Sequence, residues 1–304
     1  MPRALALILG LLVAMPAQSA PSETLPAEIA QVLKRHGLSV QGLSVYVHEV
    51  GQPEPVLAVS ADVPRNPAST MKLLTTLVAL EELGPAYTWK TEAYASAPVR
   101  EGVLDGDLYI KGYGDPYLVI EHFWRFLRAL RKGGLNEIRG DLVIDQGFFE
   151  PAPGQATDFD RRPHRAYNVQ PQALLVNFQA VNFRFLPQQR QQRVQIIADP
   201  QPAQLAIDNR VRLTNGPCGG GARAVGMQVA DRAGFQKMVF SGRYSVHCGD
   251  DDFYRVVAES GNYIHGVFKT LWLEMGGRFA GGVRDGVVPD GATLLHSAMS
   301  PPLS

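Results

Sequence analysis

Apolar residues recur at helical spacing through residues 26–36, where Ile29, Val32 and Leu33 share one face and Pro26 suits a first turn. The period then shortens to two. Leu43-Ser44-Val45-Tyr46-Val47 alternates, Gly51-Gln52-Pro53 interrupts, and 55–60 returns as a second strand, which predicts a hairpin. Asn66-Pro67-Ala68-Ser69 reads as the start of another helix. Residues 71–83 are apolar around most of the circumference, through Leu73, Leu74, Leu77, Val78, Ala79 and Leu80. Such a helix is expected to be buried on nearly all sides, and Gly84-Pro85 ends it.

From Thr88 the pattern changes to short strands with glycine-rich turns. A strand is expected over 103–111, a tight turn over 112–116, a helix over 123–131 and a strand over 141–145. Further strands are expected over 174–178, 181–186, 194–198, 210–214 and 238–240. Helical spacing resumes over 252–275, where Phe253, Val256, Val257, Ile264, Val267, Phe268 and Leu271 form one face, with a break near Gly261. The fold class is therefore α/β in the α+β sense, a strand-rich middle between helix-rich ends. On this reading 20–87 and 252–304 form one domain, and 88–251 is an inserted β-rich module or modules.

The first residues stand apart. Arg3 precedes an uncharged apolar run from Ala4 to Met15, Pro16 breaks it, and Ala17-Gln18-Ser19 offers the small residues a signal peptidase reads. Residues 1–19 are expected to be a signal peptide, and no later stretch approaches membrane-spanning length. An exported, periplasmic protein without a stable membrane anchor follows. The 304 residues carry 29 basic and 29 acidic side chains, with no basic patch interleaved with aromatics, so nucleic acid is a poor partner. Cys218 and Cys248 suit one disulfide in an oxidising compartment. A metal site using His247 is the alternative, but adjacent His247-Cys248 lacks ligand spacing, and neither C-x-x-C nor H-E-x-x-H is present. Nothing implies a metal or any other cofactor.

Ser69 and Lys72 make the chain's S-x-x-K, two residues placed on one face of a helix one turn apart. A serine needs something to take its proton. A lysine in an apolar setting has a lowered pKa and serves as that base. The helix N-terminus favours developing negative charge, and the Ser69 N–H suits half of an oxyanion hole. On the residues alone, a helix-capping serine beside a solvated lysine remains an equal alternative.

The surrounding segments carry more. Asn66-Pro67-Ala68-Ser69-Thr70-Met71-Lys72-Leu73 resembles the first motif of penicillin-binding proteins and serine β-lactamases. Four further stretches resemble the D-alanyl-D-alanine carboxypeptidase/endopeptidases of the penicillin-binding protein 4 type: 106–116 (GDLYIKGYGDP), 140–145 (GDLVID), Tyr167-Asn168 with Pro171, and 296–303 (HSAMSPPL). Ser241-Gly242 ahead of Cys248 fits the same pattern. The resemblance implies a β-lactamase/transpeptidase-like domain with large insertions. It also implies Ser69 as acylated nucleophile, Lys72 as proton acceptor, peptidoglycan stem peptides as substrate and β-lactams as trapped acylating agents. Asp145 resembles an inserted-domain residue that meets the stem-peptide side chain.

That family also uses an S-x-N and a K-T/S-G motif. Ser260-Gly261-Asn262 and Lys269-Thr270 have some of the letters, but they lie in one helical stretch, and Leu271 stands where glycine is required. In the resembling proteins S-x-N follows the Ser-Pro-Pro-Leu stretch, so the transpeptidase-like domain is expected to be incomplete, its nucleophile domain marginal and its activity impaired. A non-catalytic peptidoglycan-binding fragment is the alternative. A β-lactamase-like hydrolase is disfavoured by the long insert after Ser69.

Overall fold

The computed structural model describes residues 24–302 apart from 152, 159, 233 and 234, so the expected signal peptide lies outside the described residues. The chain divides into two compact units, one running to Glu81 and the other from Glu82.

The first unit follows the sequence pattern closely. Helix α1 (Ala27–Arg35) begins after Pro26, carries Glu28 in its first turn and Lys34 and Arg35 in its last, and so complements its dipole. Strands β1 (Val45–Val47) and β2 (Leu57–Val59) pair antiparallel, Val45 opposite Val59. A 3₁₀ turn (Ala68–Thr70) leads into α2 (Met71–Leu83). No side chain of α2 is buried, and Leu73 is 76% exposed. The expectation of a helix enclosed on nearly all sides is therefore not met in this chain, whose described residues do not enclose it.

The second unit holds strands β3 (Lys90–Ala95), β4 (Val99–Arg100), β5 (Val103–Leu104) and β6 (Leu108–Gly112), then α3 (Ile120–Lys132), β7 (Glu137–Ile138) and β8 (Leu142–Asp145). A longer set follows: β9 (Ala180–Gln188), β10 (Arg193–Asp199), β11 (Leu205–Thr214), β12 (Gly226–Arg232), β13 (Phe235–Ser245) and β14 (Asp251–Val256). The last elements are α4 (Ser260–Glu274), β15 (Arg278–Phe279), β16 (Val283–Asp285) and β17 (Thr293–Met299).

These strands make three sheets, ordered β16-β8-β6-β3-β17, β15-β7-β5-β4 and β12-β13-β11-β10-β9-β14. Strands β6 and β8 are parallel with α3 in the crossover between them, as a parallel pair requires. Apolar faces of α3 (Phe123, Phe126, Leu127, Leu130) and α4 (Tyr263, Ile264, Val267, Phe268, Trp272) are buried in the same core as Leu108, Ile110, Leu142 and Ile144 of the sheet. The six-stranded sheet packs Phe183, Phe185, Phe240 and Phe253 together, with Phe183 and Phe240 edge to face at 5.0 Å.

Several expectations change. The span 103–111 is two strands in different sheets, because 105–107 turns the chain between them. Residues 174–178 form no strand; they lead into a 3₁₀ turn, and Asn177, Phe178 and Gln179 all have left-handed φ (47°, 54° and 54°). Residues 252–256 are strand rather than helix, since Phe253 pairs with Phe183 on β9, and α4 starts only at Ser260. Strand pairing also ties 252–304 to 88–251: β14 joins β9, β16 joins β8 and β17 joins β3.

Candidate active site

Ser69 sits in the 3₁₀ turn before α2, and Lys72 in the first turn of that helix. Their side chains meet, with Lys72 Nζ 3.4 Å from Ser69 Oγ. Both are exposed. The backbone that delivers Ser69 is strongly shaped. Ala68 has φ 46°, a left-handed value costing a residue with a Cβ on the order of 1 kcal/mol. Asn66 Oδ1 accepts from the Ala68 N–H at 2.8 Å, and the Thr70 hydroxyl donates to the Pro67 carbonyl. Arg65 ties this approach to the hairpin: Nε donates to Ser44 Oγ at 2.8 Å and a terminal nitrogen to the Gln41 carbonyl at 2.7 Å. Ser44 in turn donates to the Ser60 carbonyl. Arg65 was not singled out from sequence, where it looks like any loop arginine.

Asp145 lies in the other unit, at the end of β8, with no exposed surface. Its oxygens are occupied from within: Gly147 N–H donates to Oδ1 at 2.9 Å, Val288 N–H to Oδ2 at 3.0 Å, and Lys111 Nζ stands 3.6 Å from Oδ2. Strand register places Asp145 opposite Lys111, Lys111 opposite Glu92, and Glu92 opposite Ser297. One polar row therefore crosses four strands. Glu92 accepts from Tyr113 at 2.5 Å, Tyr94 at 2.9 Å and Lys90 at 3.2 Å. Burial works to raise the Glu92 carboxyl, but these hydrogen bonds outweigh it and hold the group below the usual range. Burial and the Glu92 charge push the Tyr113 hydroxyl up. Of this row the sequence singles out Asp145 and includes Lys111 within 106–116; the part played by Glu92 is not legible in it.

Ser260, Gly261 and Asn262 open α4, and Lys269 and Thr270 lie further along the same helix. Thr270 donates to the Gln201 carbonyl and the Asn262 carbonyl accepts from Gln204, both ordinary structural uses. Cys218 and Cys248 are joined as a disulfide, so neither thiol is available as a metal ligand.

A model of the D-Ala-D-Ala carboxypeptidase 3 (S13) family matches residues 25–304. A D-alanyl-D-alanine carboxypeptidase from Actinomadura sp. is 34% identical over 170 residues, 55% of this chain and 31% of that protein. The D-alanyl-D-alanine carboxypeptidase DacB of Haemophilus influenzae is 34% identical over 82 residues, 27% of this chain and 17% of the relative. Among solved structures, penicillin binding protein 4 (dacB) from H. influenzae superposes with TM-score 0.65 at 21% identity, over 86% of this chain and 56% of that one. The same protein complexed with a novel beta-lactam gives 0.60 at 20% identity, over 86% and 55%. The chain thus spans about half the length of the solved structures it resembles, and at these identities the likeness shows the fold.

Proposed function

The chain belongs to the D-Ala-D-Ala carboxypeptidase 3 (S13) family, and from that premise we propose that it is a serine-type carboxypeptidase/endopeptidase of peptidoglycan stem peptides, acting through a Ser69 acyl-enzyme. The observation that carries this reading is the 3.4 Å approach of Lys72 Nζ to Ser69 Oγ on the first turn of α2. A Lys72 that has given up one proton accepts the Ser69 hydroxyl proton. The freed oxygen attacks the carbonyl carbon between the terminal D-alanines. The C–N bond then breaks, the leaving amine takes the proton, and water releases the acyl group. Penicillin acylates the same oxygen by opening its ring. The role proposed for Asp145 is to meet the stem-peptide side chain; its carboxylate has no exposed surface and is held by Lys111 and two backbone N–H groups, so direct contact requires these partners to open.

We place the protein in the periplasm, exported by residues 1–19. No helix among the described residues is long and apolar enough to cross a membrane. Within these 304 residues the S-x-N letters lie on α4 at 260–262; Lys-Thr occurs at 269–270 on α4, followed by leucine, and at 90–91 on β3, followed by glutamate, so neither completes K-T/S-G. The S-x-N and K-T/S-G motifs by which family members shuttle protons and hold the substrate carboxylate are not read in these 304 residues, and acylation by this chain alone is proposed to be impaired. The second reading, a non-catalytic peptidoglycan-binding fragment, draws support from the contrast between the exposed α2 and the continuous core of the second unit.

The test is intact mass of the purified chain after penicillin, with Ser69→Ala as control. A covalent adduct present in the parent and absent from Ser69→Ala supports the acyl-enzyme. Absence of any adduct on a folded parent chain sinks the catalytic reading and leaves the binding one.

A further inference from the structure

The second unit has an open groove of about 630 Å³, lined by none of the Asp145 row, where α3, the 177–179 turn, β9, β10 and β14 come together. Four of its lining side chains are aromatic and exposed: Tyr117, Tyr167, Phe178 and Tyr254, at 56%, 58%, 45% and 54%. Exposed rings are normally scattered; here they share one concavity. The Tyr117 and Phe178 rings stand edge to face at 6.3 Å.

The backbone under Phe178 is the second observation. Three successive residues with side chains, Asn177, Phe178 and Gln179, are held left-handed, at a cost of order 1–3 kcal/mol each. The neighbours enforce it. Asn177 accepts from the Ile120 N–H at 3.2 Å and donates to the Ala180 carbonyl at 3.0 Å, while Gln179 donates to the Ala258 carbonyl at 2.6 Å. Both flanking side chains turn into the protein, and the ring between them is left outside. Core packing does not explain that arrangement; presentation of the ring does.

The polar part of the lining selects the ligand. Glu121 and Asp199 are exposed carboxylates, and the lining contains no lysine or arginine among the described residues. Arg165 stands beside the lining, 5.5 Å from the Tyr167 ring and donating to the Tyr167 hydroxyl, so rings and carboxylates rather than a net charge define the groove. Asn182 donates to Asp252 at 2.8 Å and is engaged within the sheet. Flat apolar faces beside exposed carboxylates match a neutral sugar chain: pyranose C–H faces lie on the rings, and hydroxyl and N-acetyl N–H groups donate to the carboxylates. We infer that this groove binds the glycan strand of peptidoglycan, a chain of β-linked N-acetylated amino sugars, independently of Ser69. The choice of that glycan rests on the proposed function.

The experiment titrates the full chain with a peptide-free β-1,4-linked N-acetylglucosamine tetramer by calorimetry. Saturable binding is expected, weakened about three- to tenfold by Tyr254→Ala and by Phe178→Ala, and abolished in the double variant. Phe178→Gly separates presentation from structure, since glycine relaxes the left-handed site. It is expected to weaken binding while raising or preserving the melting temperature. No binding by the parent chain, undiminished binding by the double variant, or tetramethylammonium displacing the sugar overturns the inference. Penicillin adduct formation, read on the same samples, is expected to be unchanged by all four variants. Loss of the adduct with glycan binding intact would count against the acyl-enzyme alone, and the reverse against the groove alone.

Discussion

Lys111 faces Asp145 directly across the parallel β6–β8 pair, its Nζ 3.6 Å from a carboxylate that has no exposed surface. Removing one partner of such a pair strands the other. Asp145→Asn is expected to cost about 3 kcal/mol, the low end for a broken buried pair because the Lys111 side chain keeps 25% exposure. Adding Lys111→Met to Asp145→Asn should recover part of that loss. Urea midpoints of the two single variants and the double variant measure it, and simple additivity would mean that the two residues do not act as a pair.

Ser69 and Lys72 make the opposite case. Both are exposed, Ser69 in the 3₁₀ turn before α2 and Lys72 on that helix, which has no buried side chain, so replacing either should shift the thermal midpoint little. Lys72→Ala is expected to slow penicillin acylation about 10²–10⁴-fold while leaving the melt unchanged. A large loss of stability in Lys72→Ala would assign the lysine a structural role instead.

Glu92 sets an acid-side dependence. Its carboxyl is held below its ordinary value of 4.5 by Tyr113, Tyr94 and Lys90 against the opposing effect of burial. A depressed carboxyl contributes stability that is fully present above the unfolded value and is lost as pH falls through the folded one. Denaturant midpoints measured from pH 6 down to pH 3 should therefore fall, and the slope should be shallower in Glu92→Gln. Equal slopes would show that the charge on Glu92 contributes nothing.

The Cys218–Cys248 bridge spans a sequence separation of 30. Closing a loop of that length is worth roughly 3 kcal/mol, largely through the unfolded chain. Replacing both cysteines with serine should lower the stability of the second unit by about that amount. The thermal melt with and without reductant checks the same figure, because reduction should bring the parent down to the variant.

What was legible in the sequence was local. Helix α1, the β1–β2 hairpin and the Ser69-Lys72 turn all follow from spacing and proline position within a few residues. What was not legible depends on partners far along the chain. Phe253, Val256 and Val257 fit a helical face on spacing, yet β9 recruits 251–256 as its neighbour, and a period-3.6 pattern cannot report that. The turn at 177–179 has no glycine to announce its left-handed backbone; distant carbonyls impose it. The apolar circumference of α2 states a demand for burial, and the described residues do not meet it.

The pairing of β17 with β3 sets a timetable for synthesis. Met299 lies opposite Lys90, a separation of 299 − 90 = 209 residues, and Trp89 and Ser300 exchange hydrogen bonds beside them. While a nascent chain grows from its N-terminus, β3 has one flank, facing β6, satisfied early and the other flank bare until some two hundred further residues have been made. For a translocated chain, that bare edge emerges first and waits longest. The burden of keeping it from pairing with another molecule falls on whatever holds the chain during transit, and on the speed of delivery of residues 293–299.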